Sequence, residues 1–274
     1  MFATRSILLF AGLVAIAAGA LLVALGSGSA NIGVADSLAV LWGQAPEHVR
    51  TLVLDLRLPR ALSAFAVGGL LAVAGVLMQV LLRNPLAEPY ILGTSGGAAV
   101  AALVCMLFGL SSFAVDAAAF GGAMGATLLV FSIAHGTGAW TPARLLLTGV
   151  VLAAGFSAAT TLLLALSPDQ HLRGMLFWLM GDLSFAYEPA RELWLLLGLT
   201  VTATLAARHL NVLARGELQA AIVGLPVTAF RYLIFAAASL ATASVSYTHL
   251  TLPTMLAQCR SRGAAGEVGG GGGG

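Results

Sequence analysis

Twenty-two residues without a charge, Ala61 to Leu82, separate an R-L-P-R motif at Arg57–Arg60 from R-N-P-L-A-E-P at Arg83–Pro89. At 1.5 Å per residue such a run makes about 33 Å of helix, enough to cross the hydrocarbon core of a bilayer. The two flanks, each carrying arginine and proline, therefore fall on opposite sides of a membrane. Further uncharged runs cover Ile7–Leu25, Ile91–Leu110, Ala117–Ala134 and Leu145–Leu166, with a shorter one at Leu193–Ala207 and a seventh opening at Tyr232. Each is continuously apolar rather than alternating over about ten residues, so the spans are helices and not barrel strands. The expected fold class is all-α, a polytopic transmembrane helix bundle.

Composition narrows the function. Hydrophobic residues make up 59% of the 274 and charged residues 9%, where a soluble domain carries about 25% charge. All 13 basic residues are arginine. A phosphate-binding Walker loop needs a lysine, so no P-loop ATPase site is expected in this chain. A net charge of +2 gives no basis for nucleic-acid binding. Cys105 and Cys259 have no partner at disulfide or metal spacing, and no span carries paired metal ligands or a nucleophile with its base. Neither catalytic residues, nor a metal, nor a cofactor are expected. The first run, Ile7–Leu25, exceeds a signal peptide's apolar core of about 7 to 15 residues and is taken as a retained first helix.

Within the second span Ala61, Ala64, Gly68, Ala72 and Gly75 recur at helical spacing, a stripe expected to pack closely against other helices; Gly93, Gly96 and Gly97 are expected to do the same. The connection at Ser167–Pro189 is polar around a short apolar patch, Leu176–Leu183. Arg208–Pro226 mixes charge with Leu and Ala at helical spacing, as an amphipathic surface helix would. With a cytoplasmic N-terminus, six arginines fall inside and five outside, a thin margin for the positive-inside rule. Arginines held outside against that bias suggest a partner there that wants positive charge.

Five motifs in order carry a family resemblance: R-L-P-R with the span ending Met78-Gln79; Arg83-Asn84-Pro85-Leu86-Ala87-Glu88-Pro89 through Leu92-Gly93; Arg144 to Val150; Phe177-Trp178-Leu179-Met180-Gly181; and Leu210-Asn211 followed by Gly216-Glu217. Together they resemble the permease family of ABC importers for iron-siderophore, haem and vitamin B12. The resemblance implies a bundle of ten transmembrane helices, about seven of them present here, working as a homodimer in the lipid of the bacterial inner membrane. Its partners would be a periplasmic or lipid-anchored substrate-binding protein and separate ATP-binding cassette ATPase subunits.

By the same resemblance Arg57 and Arg60 would dock the binding protein. Arginine forks suit carboxylates in two-point geometry, and the alternative is that they anchor a helix end. Asn84 and Leu86 inherit a cytoplasmic gate, against the alternative of a tight proline-capped turn. Thr141 is the one hydroxyl available at a second narrowing. Gly216, Glu217, Ala220 and Gly224 match the ATPase-coupling segment, against the alternative of a helix resting on lipid headgroups. Glu217→Arg is expected to impair ATP-driven uptake while leaving the protein inserted.

Residues 1–244 are expected to form an incomplete permease domain. From Val245 the chain departs from the family pattern, and Ser246–Thr254 resembles translated sequencing-adapter read-through, so 245–274 is expected to be a foreign, disordered tail on a protein that is naturally longer. The rival class is an ion-coupled secondary transporter of a small solute. It would be expected to hold carboxylates or histidines inside its spans, whereas Asp116 and His135 sit at span ends.

Overall fold

The computed structural model describes residues 2–27, 33–135, 141–181 and 189–249. In order the elements are α1 (Phe2–Gly26), α2 (Val34–Leu41), α3 (Glu47–Thr51), a π-helical segment (Leu52–Arg57), α4 (Leu58–Leu82), a 3-10 turn (Pro89–Leu92), α5 (Thr94–Leu107), α6 (Ser112–His135), α7 (Pro142–Leu166), α8 (Asp169–Met180), α9 (Ala190–Leu205), α10 (Ala207–Arg215), α11 (Glu217–Ile222) and α12 (Val227–His249). No strand occurs among the described residues. Among the described residues five helices are long and apolar enough to cross a membrane, and α9 with α10, bent by 62°, makes a sixth if taken as one span. This is a multi-pass membrane helix bundle.

Several boundaries differ from those expected, each for a local reason. The third run yields a helix of only 14 residues, because Gly93 (φ 69°) and Gly109 (φ 64°) turn the backbone into the left-handed region at either side of it. The connection at 167–189 holds α8, whose Met175 and Leu179 are buried. The seventh helix opens at Val227 rather than Tyr232, since Arg231 is taken into an ion pair and its charge need not end the helix. That helix continues to His249, so the expected tail begins as helix at Val245, while residues 250–274 lie outside those described.

The chain divides into two compact units. The first comprises Met1–Gly68 and Leu183–Trp194. Its core is Leu25, Val40, Val49, Val53 and Ala61, with Leu21, Leu54 and Leu58 packed against them. Buried Ser37 donates from Oγ to the Leu25 carbonyl at 3.1 Å, which satisfies one of the acceptors left open where α1 ends.

The second unit comprises Gly69–Asp182 and Leu195–Gly274. Its core is rich in alanine: Ala98, Ala99, Ala102, Ala119, Ala123 and Ala243 pack with Leu103, Val115, Met175 and Leu179. Such small side chains bring backbones together, which is how helices associate where lipid is as apolar as leucine. Gly97 on α5 lies close against Gly122 on α6, where a Cβ on either residue would overlap the other's carbonyl oxygen. Gly96 lies under Phe156, so α5 packs closely as expected. The stripe on α4 does so only in part: Ala61 is buried and Gly75 half-buried, whereas Ala64, Gly68 and Ala72 are exposed and nothing lies within 4 Å of a Cβ built on Gly68. The buried face of α4 is instead Ala66, Leu70, Ala74, Leu77, Met78 and Leu81. Phe131 fastens α6 to α12, with ring centroids 5.3 Å from Tyr232 and 5.0 Å from Phe235.

Candidate functional site

At its N-terminal end α4 continues the helical path that starts at Glu47, with one wider π turn over Leu52–Arg57. Arg57 and Arg60 both project from this end, but their surroundings differ. Arg57 is half-buried, and its Nη1 donates to the Leu25 carbonyl at 2.7 Å. A guanidinium on the carbonyl end of a helix is favoured by the bond and by the helix dipole together. Arg60 is exposed. Nearby, Glu47, Arg50, Thr51 and Asp55 line an open polar cleft of about 470 Å³. The exposed charge at this end is therefore of both signs.

At its other end α4 stops without glycine. Arg83 sits at φ 49°, the left-handed region, and is the one residue other than glycine with positive φ among those described. The Asn84 N–H bonds back to the Gln79 carbonyl at 3.2 Å, the closing bond of a Schellman end. A side chain in this conformation costs about 1–2 kcal/mol relative to glycine. Beyond it Asn84 Oδ1 accepts from the Leu86 N–H at 2.9 Å, and the Ala87 N–H bonds to the Asn84 carbonyl at 3.0 Å. Asn84 thus holds its own turn in shape. Leu86 is 82% exposed, a large apolar side chain standing out from a rigid turn.

The bend between α10 and α11 lies in the same unit. Gly216 at φ 138° occupies a region open to glycine, and Glu217 is the first residue of α11. The two carboxylate oxygens of Glu217 go to different arginines: Oε2 stands 3.0 Å from Arg231 Nη1 and Oε1 stands 3.6 Å from Arg83 Nη2. The Arg231 side chain is 10% exposed and that of Arg83 42%. The pair with Arg231 is the stronger one, because shorter distance and burial both raise Coulomb attraction. Three segments meet at one carboxylate: the turn after α4, the start of α11 and the second turn of α12. Ala220 is fully buried on α11, whereas Leu218, Ile222 and Val223 are exposed by about three quarters, leaving an apolar face uncovered. Gly224, at φ 85°, ends α11.

Two buried hydroxyls follow the turn. Tyr90 Oη and Thr94 Oγ1 have no hydrogen-bond partner, and burial pushes the Tyr90 phenol up to about 12. Thr141 caps α7, its Oγ1 accepting from the Arg144 N–H at 3.3 Å.

Residues 13–249 match the FecCD transport family. The chain belongs to that family. Among curated relatives it is 36% identical over 220 residues to the vitamin B12 import system permease protein BtuC of Escherichia coli O127:H6, covering 76% of this chain and 66% of that one. It is 37% identical over 230 residues to the achromobactin transport system permease protein CbrC of Dickeya dadantii, covering 81% and 65%. The chain thus spans just under two thirds of the length of the curated relatives it matches. A solved structure described as an inward-facing conformation of a metal-chelate type ABC transporter superposes with a TM-score of 0.67 at 26% identity, covering 87% of this chain and 74% of that one. The helical bundle expected from the sequence is therefore the fold of this family.

Two features of this FecCD chain escaped the sequence reading. The first is the arginine pair around Glu217, whose members are distant in sequence. The second is Glu192, 9% exposed, which accepts from Ser63 Oγ over a long 3.4 Å. Placing the sixth span at Leu193 left this carboxylate just outside it, whereas α9 starts at Ala190.

Proposed function

We propose that this chain is the permease part of an ABC importer that moves an iron chelate or cobalamin across the bacterial inner membrane, driven by separate ATPase subunits. The observation that carries the proposal is the arrangement around Glu217. A short helix with an uncovered apolar face, Leu218, Ile222 and Val223, is tied by its first residue to the turn holding Asn84 and Leu86. In this reading Gly216, Glu217, Ala220 and Gly224 form the segment that engages the ATPase. The exposed face docks in it, Ala220 packs inward, and the two glycines permit the sharp entry and exit. Asn84 and Leu86 form the cytoplasmic narrowing, with Leu86 as the apolar plug and Asn84 as its brace. Apolar constrictions close by excluding water.

At the opposite end Arg60 offers an exposed guanidinium to acidic residues of a substrate-binding protein. Arg57, half-buried beside it, is the second arginine of this docking reading. Two copies of the chain line the pathway. The substrate class follows the relatives named for vitamin B12 and achromobactin, with haem as the third chelate suggested by the family resemblance. ATP binding and hydrolysis belong to the partner subunits.

The test is uptake of labelled ferric siderophore, haem and cobalamin by cells carrying the full-length gene with and without its ATPase gene. Uptake of one chelate that vanishes without the ATPase is the expected result. Glu192 supplies the specific reason to keep a second reading, since a buried carboxylate in the first turn of a span is a group that an ion-coupled secondary transporter would use. Uptake that survives loss of the ATPase and follows the proton gradient would establish that reading instead.

A further inference from the structure

Among the described residues four helices end alike, with an N–H bonded to the carbonyl five residues back: Gln44 to Ala39, Asn84 to Gln79, Leu110 to Cys105, and Leu225 to Ala220. Three of them place glycine at the left-handed position before that N–H, namely Gly43, Gly109 and Gly224. The fourth, α4, places Arg83 there. Glycine would make the same turn without strain, so the turn itself does not explain an arginine. What arginine adds is a guanidinium that reaches Glu217 across 3.6 Å, from a backbone position rigidly joined to Asn84 and Leu86.

The strain and the ion pair have one explanation. We infer that Arg83 is a positioning residue that ties the turn at residues 84–87 to the start of α11 through Glu217, so that displacement of α11 is passed to Leu86. The inference rests on the coupling and gate roles proposed above and names the link between them. The link suits a moving part. Its Arg83 arm is half-exposed and long, hence easily stretched, while the Arg231 arm at 3.0 Å keeps Glu217 anchored to α12. A carboxylate held firmly by one arginine and loosely by another can follow α12 while dragging or releasing the turn. Such coupling needs a contiguous physical connection with more than one arrangement, and this carboxylate supplies the connection.

The decisive variant is Arg83→Gly, which removes both the guanidinium and the strain. It is made in the full-length protein, reconstituted with its ATPase subunits in proteoliposomes and supplied with its substrate-binding protein and labelled ferric siderophore, haem and cobalamin. Thermal stability is expected to stay level or rise, ATP hydrolysis to stay within about two-fold, and uptake per ATP hydrolysed to fall about five-fold or more. Arg83→Lys, which keeps the charge, should restore at least half of the lost coupling. In the double variant Arg83→Gly with Glu217→Gln, uptake per ATP should be no lower than in Glu217→Gln alone, since both remove the same link. Unchanged uptake per ATP in Arg83→Gly would overturn the assignment. So would a parallel loss of melting temperature and uptake, which would mark a merely structural residue. Failure of the importer reading is visible earlier, as wild-type protein that binds no ATPase and transports without ATP, and it takes this assignment with it.

Discussion

The two ends of α4 carry the same residue type and use it differently. At the N-terminal end Arg57 bonds to a backbone carbonyl of α1, a partner that cannot titrate, change sign or move independently of its helix. At the C-terminal end Arg83 faces a carboxylate that it shares with Arg231 and that begins a short helix with an open apolar face. The first arrangement fixes a helix end, while the second makes a joint. A guanidinium on a backbone carbonyl holds a helix end in place, whereas one on a carboxylate of another element can pass on that element's movement.

The comparison is broken most directly at Glu217. Glu217→Leu removes the carboxylate facing a nearly buried guanidinium and is expected to cost roughly 3 kcal/mol, read as a lower melting temperature in detergent. Glu217→Arg would crowd three guanidinium groups together, so Glu217→Gln is the cleaner probe of coupling. Arg57→Met should cost about 1.5 kcal/mol by the same measurement, the lower range for a hydrogen bond made by a charged group. A loss as large as that of Glu217→Leu would contradict the contrast drawn between the two ends.

Arg60→Met should leave stability within about 0.5 kcal/mol, as at an exposed site. If the docking reading holds, it should slow association with the binding protein and flatten its salt dependence, measured by surface-coupled binding at two ionic strengths. The smallest effect is expected at Tyr90. Tyr90→Phe should be neutral or stabilising by about 0.5 kcal/mol, because the buried hydroxyl it deletes has no partner. Burial raises this phenol from 10.0 to about 12. The neutral form is thus favoured in the folded protein, and its contribution to stability is complete below about pH 10 and lost as pH rises through about 12. Tyrosinate absorbance of the wild type should accordingly contain an alkaline step that the variant lacks.

Much of the candidate site could be read from the sequence as membership rather than as arrangement. Asn84, Leu86, Gly216 and Glu217 stand out because they fall in ordered motifs, and Gly216 and Gly224 do sit at turns, with φ of 138° and 85°. Ala61, Ala64, Gly68 and Ala72 have the right spacing for close packing, yet only Ala61 of these is buried, while Gly97 and Gly122 stand in close contact. Periodicity shows that a face exists and is silent on what lies opposite it.

The sequence by itself determined the helices, because a chain in hydrocarbon must satisfy every backbone polar group locally and needs a set length of apolar residues to cross. It also determined the family, through short motifs whose order survives in the linear chain. Only the tertiary structure decided that Arg83, Glu217 and Arg231 meet, that Arg57 caps α1, and that Glu192 lies under Ser63. These are pairings between segments far apart in the chain. Their energy depends on distances between 2.7 and 3.6 Å that no local pattern specifies, and on burial that exists only once the helices have packed.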